Sequence, residues 1–159
     1  LSTNDSTDAW APEGYDAVMD ANVRFVMNTV ARLVDGNAVA PGARLVIVGS
    51  LWGLHARPGK LSYTVSKSAL GGVVRAVAAD LGNRGITVNQ VCPGPVDTPM
   101  TRATLATEQI AVAAAAVPAN RLVSVDDVVS LIVYLATENT GITGQSIAVD
   151  LGLSVMNLL

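Results

Sequence analysis

Two side chains capable of acid–base chemistry, Tyr63 and Lys67, lie four positions apart in the sequence Tyr-Thr-Val-Ser-Lys. In a helix, positions i and i+4 share a face, which would place the ammonium beside the phenol. A fixed ammonium favours the phenolate, and a position near a helix N-terminus favours it further. The pair is therefore a candidate for proton exchange near neutral pH. For the pair taken alone, a tyrosine and a lysine sharing an exposed helix face is the simpler interpretation.

Two further polar residues, Ser50 and Asn22, strengthen the interpretation of Tyr63 and Lys67 as a proton-exchanging pair. Ser50 ends the apolar run 44–50, which is typical of a strand buried on both faces of a parallel sheet. Ligands of such sheets bind at the carboxyl ends of the strands, where the Ser50 hydroxyl could donate to a substrate carbonyl. The alternative is that Ser50 only satisfies the strand end. Asn22 lies on an apolar helical stripe, so its amide needs hydrogen-bond partners, in the simplest case one backbone carbonyl.

Helical and strand-like segments alternate along the chain, which predicts an α/β fold with a parallel sheet. The predicted helices span 15–34, 62–81 and the segment after Ser124, and the predicted strands span 44–50, 86–92 and 145–150. Residues 1–14 are predicted to be irregular, and residues 99–120 to form one or two short helices. Ser124 and Asp127 have the spacing of a capping box, and Gly36 is a candidate C-cap.

The composition excludes several classes of protein. A length of 159 residues favours one domain, and 50% hydrophobic residues with a mean hydropathy of +0.44 indicate a large core or apolar surface covered by a partner. The net charge of -3 without a basic cluster gives nucleic-acid binding no electrostatic support. No apolar run reaches the roughly 18 residues needed to span a bilayer, so we expect no membrane insertion.

The cysteine and histidine content limits the compartment and the chemistry. Cys92 is the only cysteine, which excludes an internal disulfide and favours a reducing, cytoplasmic compartment. His55 is the only histidine and lies in a loop, so we expect no metal site. The first residues have neither the basic start nor the apolar stretch of a signal peptide. Because the chain does not begin with Met, it is compatible with processing or with a longer product.

Five motifs, in this order and spacing, resemble the short-chain dehydrogenase/reductase family. They are the sequences at 20–23, 45–50, 63–67, 89–98 and 142–150, and the resemblance covers nearly the whole chain from about Trp10. Each motif alone is weakly specific, whereas five in register are highly specific. The segment 117–122 looks most like 3-oxoacyl-(acyl-carrier-protein) reductases, although many sugar and steroid members of the family share it.

The resemblance implies a hydride transfer between NADP or NAD and a small-molecule ketone or secondary alcohol. Tyr63 would be the acid or base, Ser50 would orient the substrate oxygen, and Lys67 would favour the phenolate and hold the nicotinamide ribose. Asn22 would position a water in a proton relay. The cofactor-binding residues would be Tyr63, Lys67, Pro93, Gly94, Val96 and Thr98.

The chain also departs from the family pattern. It has no glycine-rich turn after a first strand, no selector for the adenosine ribose and no Asn-Asn-Ala-Gly strand end. Residues 1–159 would then be the C-terminal part of one Rossmann-like doubly wound domain that lacks its N-terminal strands. The strand 44–50 would have an open edge, which favours a homo-oligomer or a complex with a chain supplying the N-terminal half. A truncated or auxiliary non-catalytic subunit is the alternative function.

Overall fold

The computed structural model describes residues 1–155, which form an α/β fold around a parallel three-stranded sheet. The strands are β1 (Arg44–Val48), β2 (Thr87–Pro93) and β3 (Ser146–Val149), in the order β1-β2-β3. Gln90 in the central strand is in register with Ile47 on one side and with Ser146 on the other. The parallel sheet and its three strands were predicted from the sequence, and both predictions are confirmed.

Six α-helices connect and flank the strands. They are α1 (Pro12–Met19), α2 (Phe25–Asp35), α3 (Leu61–Leu81), α4 (Pro99–Thr104), α5 (Thr107–Ala115) and α6 (Val125–Thr137). A π-helical segment, Asp20–Arg24, joins α1 to α2, and short 3-10 turns cover Thr7–Ala9, Leu51–Gly53, Gly82–Arg84 and Leu153–Val155. None of the helices in residues 1–155 has the length and apolarity needed to cross a membrane.

The helix boundaries follow from local chemistry. The first helix begins at Pro12, three residues earlier than predicted, because proline is well suited to a first helical turn whose N–H groups have no intrahelical partner. At the start of α6 the predicted capping box is confirmed. The Asp127 backbone N–H donates to Ser124 Oγ at 3.0 Å, and the Ser124 backbone N–H donates to the Asp127 carboxylate at 2.8 Å. Gly36 is the C-cap of α2, but the left-handed residue is its neighbour Asn37, with a φ of 54°.

The sheet is buried between α3 on one face and α6 on the other. Residues of the α3 face form one apolar cluster: Val39, Ile47, Leu70, Val74, Ala78, Leu81, Ile86 and Val88. On the opposite face, Val91, Val123, Val128 and Leu135 form a second cluster. Successive residues of a strand point to opposite faces, so β2 contributes Val88 to the first cluster and Val91 to the second. This double burial makes Val88, Val91 and Cys92 inaccessible together with the polar Asn89 and Gln90, so β2 is buried on both faces without being a continuous apolar run.

The outer edge of β1 has no strand partner among residues 1–155, as predicted. Beside it lies an apolar groove of about 350 Å³ between α2 and β1. Phe25 on α2 is 66% exposed and Val48 on β1 is 52% exposed, although both are apolar. An unpaired strand edge next to exposed apolar side chains is a surface suited to pairing with a further strand.

Candidate functional site

Ser50 lies two residues after the carboxyl end of β1. Its hydroxyl accepts a hydrogen bond from the backbone N–H of Trp52 at 3.2 Å, which fixes the start of the turn Leu51–Gly53. That turn packs tightly on α3, because a Cβ at Gly53 would lie 2.6 Å from the carbonyl oxygen of Lys67. Ser68 also donates from Oγ to the Gly53 carbonyl at 3.0 Å. The turn therefore holds Ser50 next to the part of α3 that carries Lys67.

Tyr63 and Lys67 lie on one face of α3, as their spacing predicted. The Nζ atom of Lys67 is 5.7 Å from the centroid of the Tyr63 ring. Both side chains are half-buried. Ser62, which precedes Tyr63, and Ser66, which lies between Tyr63 and Lys67 in the sequence, are buried. The buried serines fix the inward face of this helical turn, and the tyrosine and lysine beside them remain partly accessible.

The ammonium of Lys67 forms no ion pair and no hydrogen bond with the residues that the structure describes. Burial lowers the pKa of Lys67, and the nearby Cys92 thiol opposes this effect. Cys92 is fully buried, and burial raises the pKa of its thiol, in keeping with an inert apolar residue. A half-buried ammonium without a protein partner is suited to a ligand with hydroxyl or anionic oxygens.

Asn22 is buried in the π-helical segment, and both donors of its side-chain amide are engaged in hydrogen bonds. Its Nδ2 donates to Ser66 Oγ at 3.0 Å and to the carbonyl of Leu1 at 2.9 Å, and its Oδ1 accepts from the Leu1 nitrogen at 3.0 Å. The Ser66 hydroxyl in turn donates to the carbonyl of Tyr63 at 2.8 Å. Asn22 is therefore connected to the helical turn of Tyr63 through Ser66, and this connection was not predicted.

The segment from Pro93 to Thr98 lies at the same edge of the sheet as Ser50. The pairing of β1 with β2 continues there, because the backbone N–H of Gly49 donates to the Val91 carbonyl at 2.7 Å. Several polar groups of the segment are engaged within the chain, among them the Gly94 amide and the Thr98 hydroxyl. The N–H of Gly94 donates to Val149 at 3.0 Å, and the Thr98 hydroxyl accepts from the N–H of Thr101 at 3.1 Å as the N-cap of α4.

A pocket of about 520 Å³ opens between the turn after Ser50 and α5. Trp52 is half-buried and lies in its wall. Pro95, Leu105 and Val112 supply further apolar surface. The guanidinium of Arg57 lies 5.7 Å from the centroid of the Trp52 indole. The two short helices predicted for 99–120 are present as α4 and α5, and α5 forms one wall of this pocket.

Comparisons with known proteins agree with this architecture. The family model described as enoyl-(acyl carrier protein) reductase matches residues 3–154. A 3-oxoacyl-(acyl-carrier-protein) reductase of Thermotoga maritima is 33% identical over 144 residues, which are 90% of this chain and 58% of that protein. The crystal structure of a short chain dehydrogenase family protein of Francisella tularensis superimposes with a TM-score of 0.89 at 26% identity, covering 98% of this chain and 68% of that one.

A gluconate 5-dehydrogenase of Burkholderia cenocepacia, crystallised with NADP and tartrate, has the same TM-score of 0.89 at 27% identity. The alignment covers 99% of this chain and 62% of that one. The relatives differ in the reaction that their names state, so they share a family rather than one substrate. The family model matches nearly the whole of this chain, and solved members of the family have the same fold. This chain therefore belongs to the short-chain dehydrogenase/reductase family.

Proposed function

We propose that this chain supplies the substrate and nicotinamide part of an NAD(P)-dependent oxidoreductase that interconverts a ketone and a secondary alcohol. The observation that carries the proposal is the half-buried ammonium of Lys67, which has no partner among the described residues and lies 5.7 Å from the Tyr63 ring centroid, on the helix against which the turn after Ser50 packs. The names of the relatives support it, because they include reductases of 3-oxoacyl groups and a dehydrogenase crystallised with NADP.

The described residues fit the nicotinamide end of such a cofactor. The Lys67 ammonium has no protein partner and could hold ribose hydroxyls together with Tyr63, while Pro93, Gly94, Val96 and Thr98 lie at the neighbouring strand end. When bound, the nicotinamide supplies or accepts the hydride. No glycine-rich turn between a strand and a helix occurs in residues 1–155, so we infer that other residues bind the pyrophosphate.

The proposed roles of the side chains follow from their positions. In carbonyl reduction the Tyr63 hydroxyl donates a proton to the substrate oxygen, and in alcohol oxidation the phenolate removes it. The Ser50 hydroxyl donates a hydrogen bond to the same oxygen and orients it. Lys67 stabilises the phenolate that remains after proton donation. Since the Asn22 amide is occupied by Leu1 and Ser66, a relay water at Asn22 would need its backbone carbonyl or the second lone pair of Oδ1.

We infer that residues 1–159 are the C-terminal part of a single domain whose remaining strands pair with the open edge of β1. The chain spans 58% of the Thermotoga relative, and the groove beside β1 is apolar, as a covered surface would be. A homo-oligomer is supported by a second apolar surface between α2 and α3, where Met27, Val30 and Val77 line a groove of about 340 Å³.

The second candidate function is an auxiliary, non-catalytic subunit that assembles with a dinucleotide-binding partner. The observation in its favour is that residues 1–155 form three strands and lack a phosphate-binding turn. The two functions differ in one measurable property, because only the enzyme needs the phenol of Tyr63. The intact mass of the natural protein additionally shows whether the missing strands belong to the same polypeptide.

The test is a series of substitutions in the complete protein, assayed for NAD(P)H-dependent ketone reduction at several pH values. Tyr63→Phe should lower turnover by about 10²–10⁴-fold at every pH, because it removes the general acid. Lys67→Ala should lower turnover, and the loss should be smaller at high pH. Ser50→Ala should lower turnover without much change in the pH optimum. Near-normal turnover of Tyr63→Phe with an aliphatic ketone would show that the proposed mechanism is wrong.

A further inference from the structure

The pocket between the turn after Ser50 and α5 has largely apolar walls and two charged side chains, Arg57 and Glu108. Trp52 and Val112 supply part of the apolar surface, and the volume is about 520 Å³. The wall begins beside Ser50, because the backbone N–H of Trp52 donates to Ser50 Oγ at 3.2 Å. A pocket of this size, adjoining the residue proposed to orient the substrate oxygen, can enclose the apolar part of a small substrate.

The guanidinium of Arg57 has no protein partner in the described part of the chain. The ion pairs found there involve Arg24, Arg102 and Arg121. No hydrogen bond joins the Arg57 side chain to another described residue, and its guanidinium carbon lies 5.7 Å from the centroid of the Trp52 indole. At such a distance a cation is attracted to the aromatic face. The N–H donors of Arg57 are therefore available to an anionic ligand.

Arg57 lies at the rim of the pocket. Its side chain is exposed, and it also lines a neighbouring cleft of about 320 Å³ near Ser6 and Gly59. A ligand with its apolar part in the pocket would therefore keep a charged end group at the boundary with water. Such a group would meet the guanidinium without the large cost of burying a charge.

The carboxylate of Glu108 does not neutralise Arg57, although both residues line the same pocket. No ion pair joins these two side chains. Glu108 lies in the first turn of α5, where the positive end of the helix dipole compensates part of its charge. The planar guanidinium, by contrast, presents paired donors that match both oxygens of a carboxylate. The charges of the pocket therefore favour an anionic ligand at Arg57 over a cationic ligand at Glu108.

We propose that Arg57 and Trp52 are specificity-determining residues that select an oxo acid or a hydroxy acid as the substrate. The carbon chain would lie along the Trp52 indole, and the carboxylate would accept hydrogen bonds from Arg57. The inference rests on the proposed function, because Ser50 and Tyr63 would act on the keto or hydroxyl oxygen of the same molecule. A substrate held at two points is restricted in the positions that its reacting carbonyl can take.

The expected preference for an acid is modest, because Arg57 is exposed. Water screens an exposed ion pair, although a bidentate pair of arginine and carboxylate is stronger than most. We therefore expect a carboxylate to bind about fivefold more tightly than the neutral amide of the same length. The amide is the appropriate comparison, since it keeps the hydrocarbon part and the planar shape of the end group and removes only the charge.

The first measurement is ligand binding to the complete protein labelled with fluorinated tryptophan, followed by ¹⁹F NMR. The resonance of Trp52 is the one missing from Trp52→Phe. Hexanoate should shift this resonance with a Kd about fivefold lower than that of hexanamide, and Arg57→Gln should remove the difference. Arg57→Lys should keep part of it, since lysine retains the charge without the planar fork. Arg32→Gln removes an exposed positive charge from α2 and should leave the difference in place, as the matched control.

The second measurement is NAD(P)H-dependent reduction of straight-chain oxo acids of increasing length, each compared with its amide. At the length with the largest acid preference, Arg57→Gln should lower the ratio of the kcat/KM values, acid to amide, by about fivefold, and Glu108→Gln should raise it. The inference would be overturned by equal affinity for hexanoate and hexanamide, by a Trp52 resonance that neither ligand shifts, or by the same acid preference in the parent protein and in Arg57→Gln. An acid preference in binding that depends on Arg57, in a protein that reduces none of the ketones, would support the inferred site and contradict the proposed function instead.

Discussion

The tight approach of Gly53 to α3 gives the sharpest structural prediction. A Cβ at this position would lie 2.6 Å from the carbonyl oxygen and 2.7 Å from the carbonyl carbon of Lys67, and both are backbone atoms. Contacts below 3.0 Å are essentially never made by a real Cβ, so Gly53→Ala must displace the turn after Ser50 or α3. The φ angle of Gly53 is accessible to alanine, which leaves steric overlap as the cause of the effect.

The expected magnitude follows from the nature of the clash. Overpacking against backbone costs about 1–3 kcal/mol, and we expect the free energy of unfolding to fall by that amount. Because the displaced turn holds Ser50 beside Lys67, a shift of about 1 Å should also lower turnover of the complete protein by roughly 10²-fold. Urea denaturation followed by circular dichroism measures the first effect, and ketone reduction measures the second.

Gly72→Ala is the matched control. Gly72 lies in the interior of α3 on its exposed face, and a Cβ there would meet nothing within 4 Å. Alanine should therefore stabilise the fold by about 0.5–1 kcal/mol through helix propensity and reduced entropy of the unfolded chain. If Gly53→Ala is as stable and as active as the parent chain, the turn does not set the position of Ser50 and our reasoning about the site is refuted.

Two further predictions concern the isolated chain. It should bind NADH and NADPH poorly, because residues 1–155 contain no helix N-terminus preceded by a glycine-rich turn that could bind the pyrophosphate. Low-micromolar affinity for either nucleotide in a fluorescence titration would contradict this prediction. It should also form an oligomer or a complex at micromolar concentration, because Phe25 and Val48 expose apolar surface beside an unpaired strand edge. A stable monomer detected by light scattering would contradict this prediction.

The elements of the fold could be predicted from the sequence because their signals are local. The run 44–50 is largely apolar, as a doubly buried strand requires, whereas 86–92 and 145–150 combine β-branched apolar residues with polar ones; the structure contains a strand in each of the three. The capping box at Ser124 and the shared helix face of Tyr63 and Lys67 depend on spacings of three and four residues. Such spacings can be read without knowledge of the tertiary structure.

The connections within the site could not be predicted, because they join residues that are distant in the chain. The hydrogen bond from Asn22 to Ser66 spans 44 positions, and the contact of Gly53 with Lys67 depends on how a turn packs on a helix. The π-helical segment Asp20–Arg24 has the same apolar spacing as an ordinary helix, so the pattern predicted one uninterrupted helix.

The central claim is that Tyr63 donates the proton in a carbonyl reduction by hydride transfer. The most direct measurement incubates the complete protein with NADPH deuterated at C4 and ethyl acetoacetate as a probe ketone, and detects the alcohol by mass spectrometry. We predict one deuterium on the carbinol carbon with the parent protein and at least about 10²-fold less product with Tyr63→Phe. Equal deuterium transfer by the parent protein and by Tyr63→Phe would contradict the account.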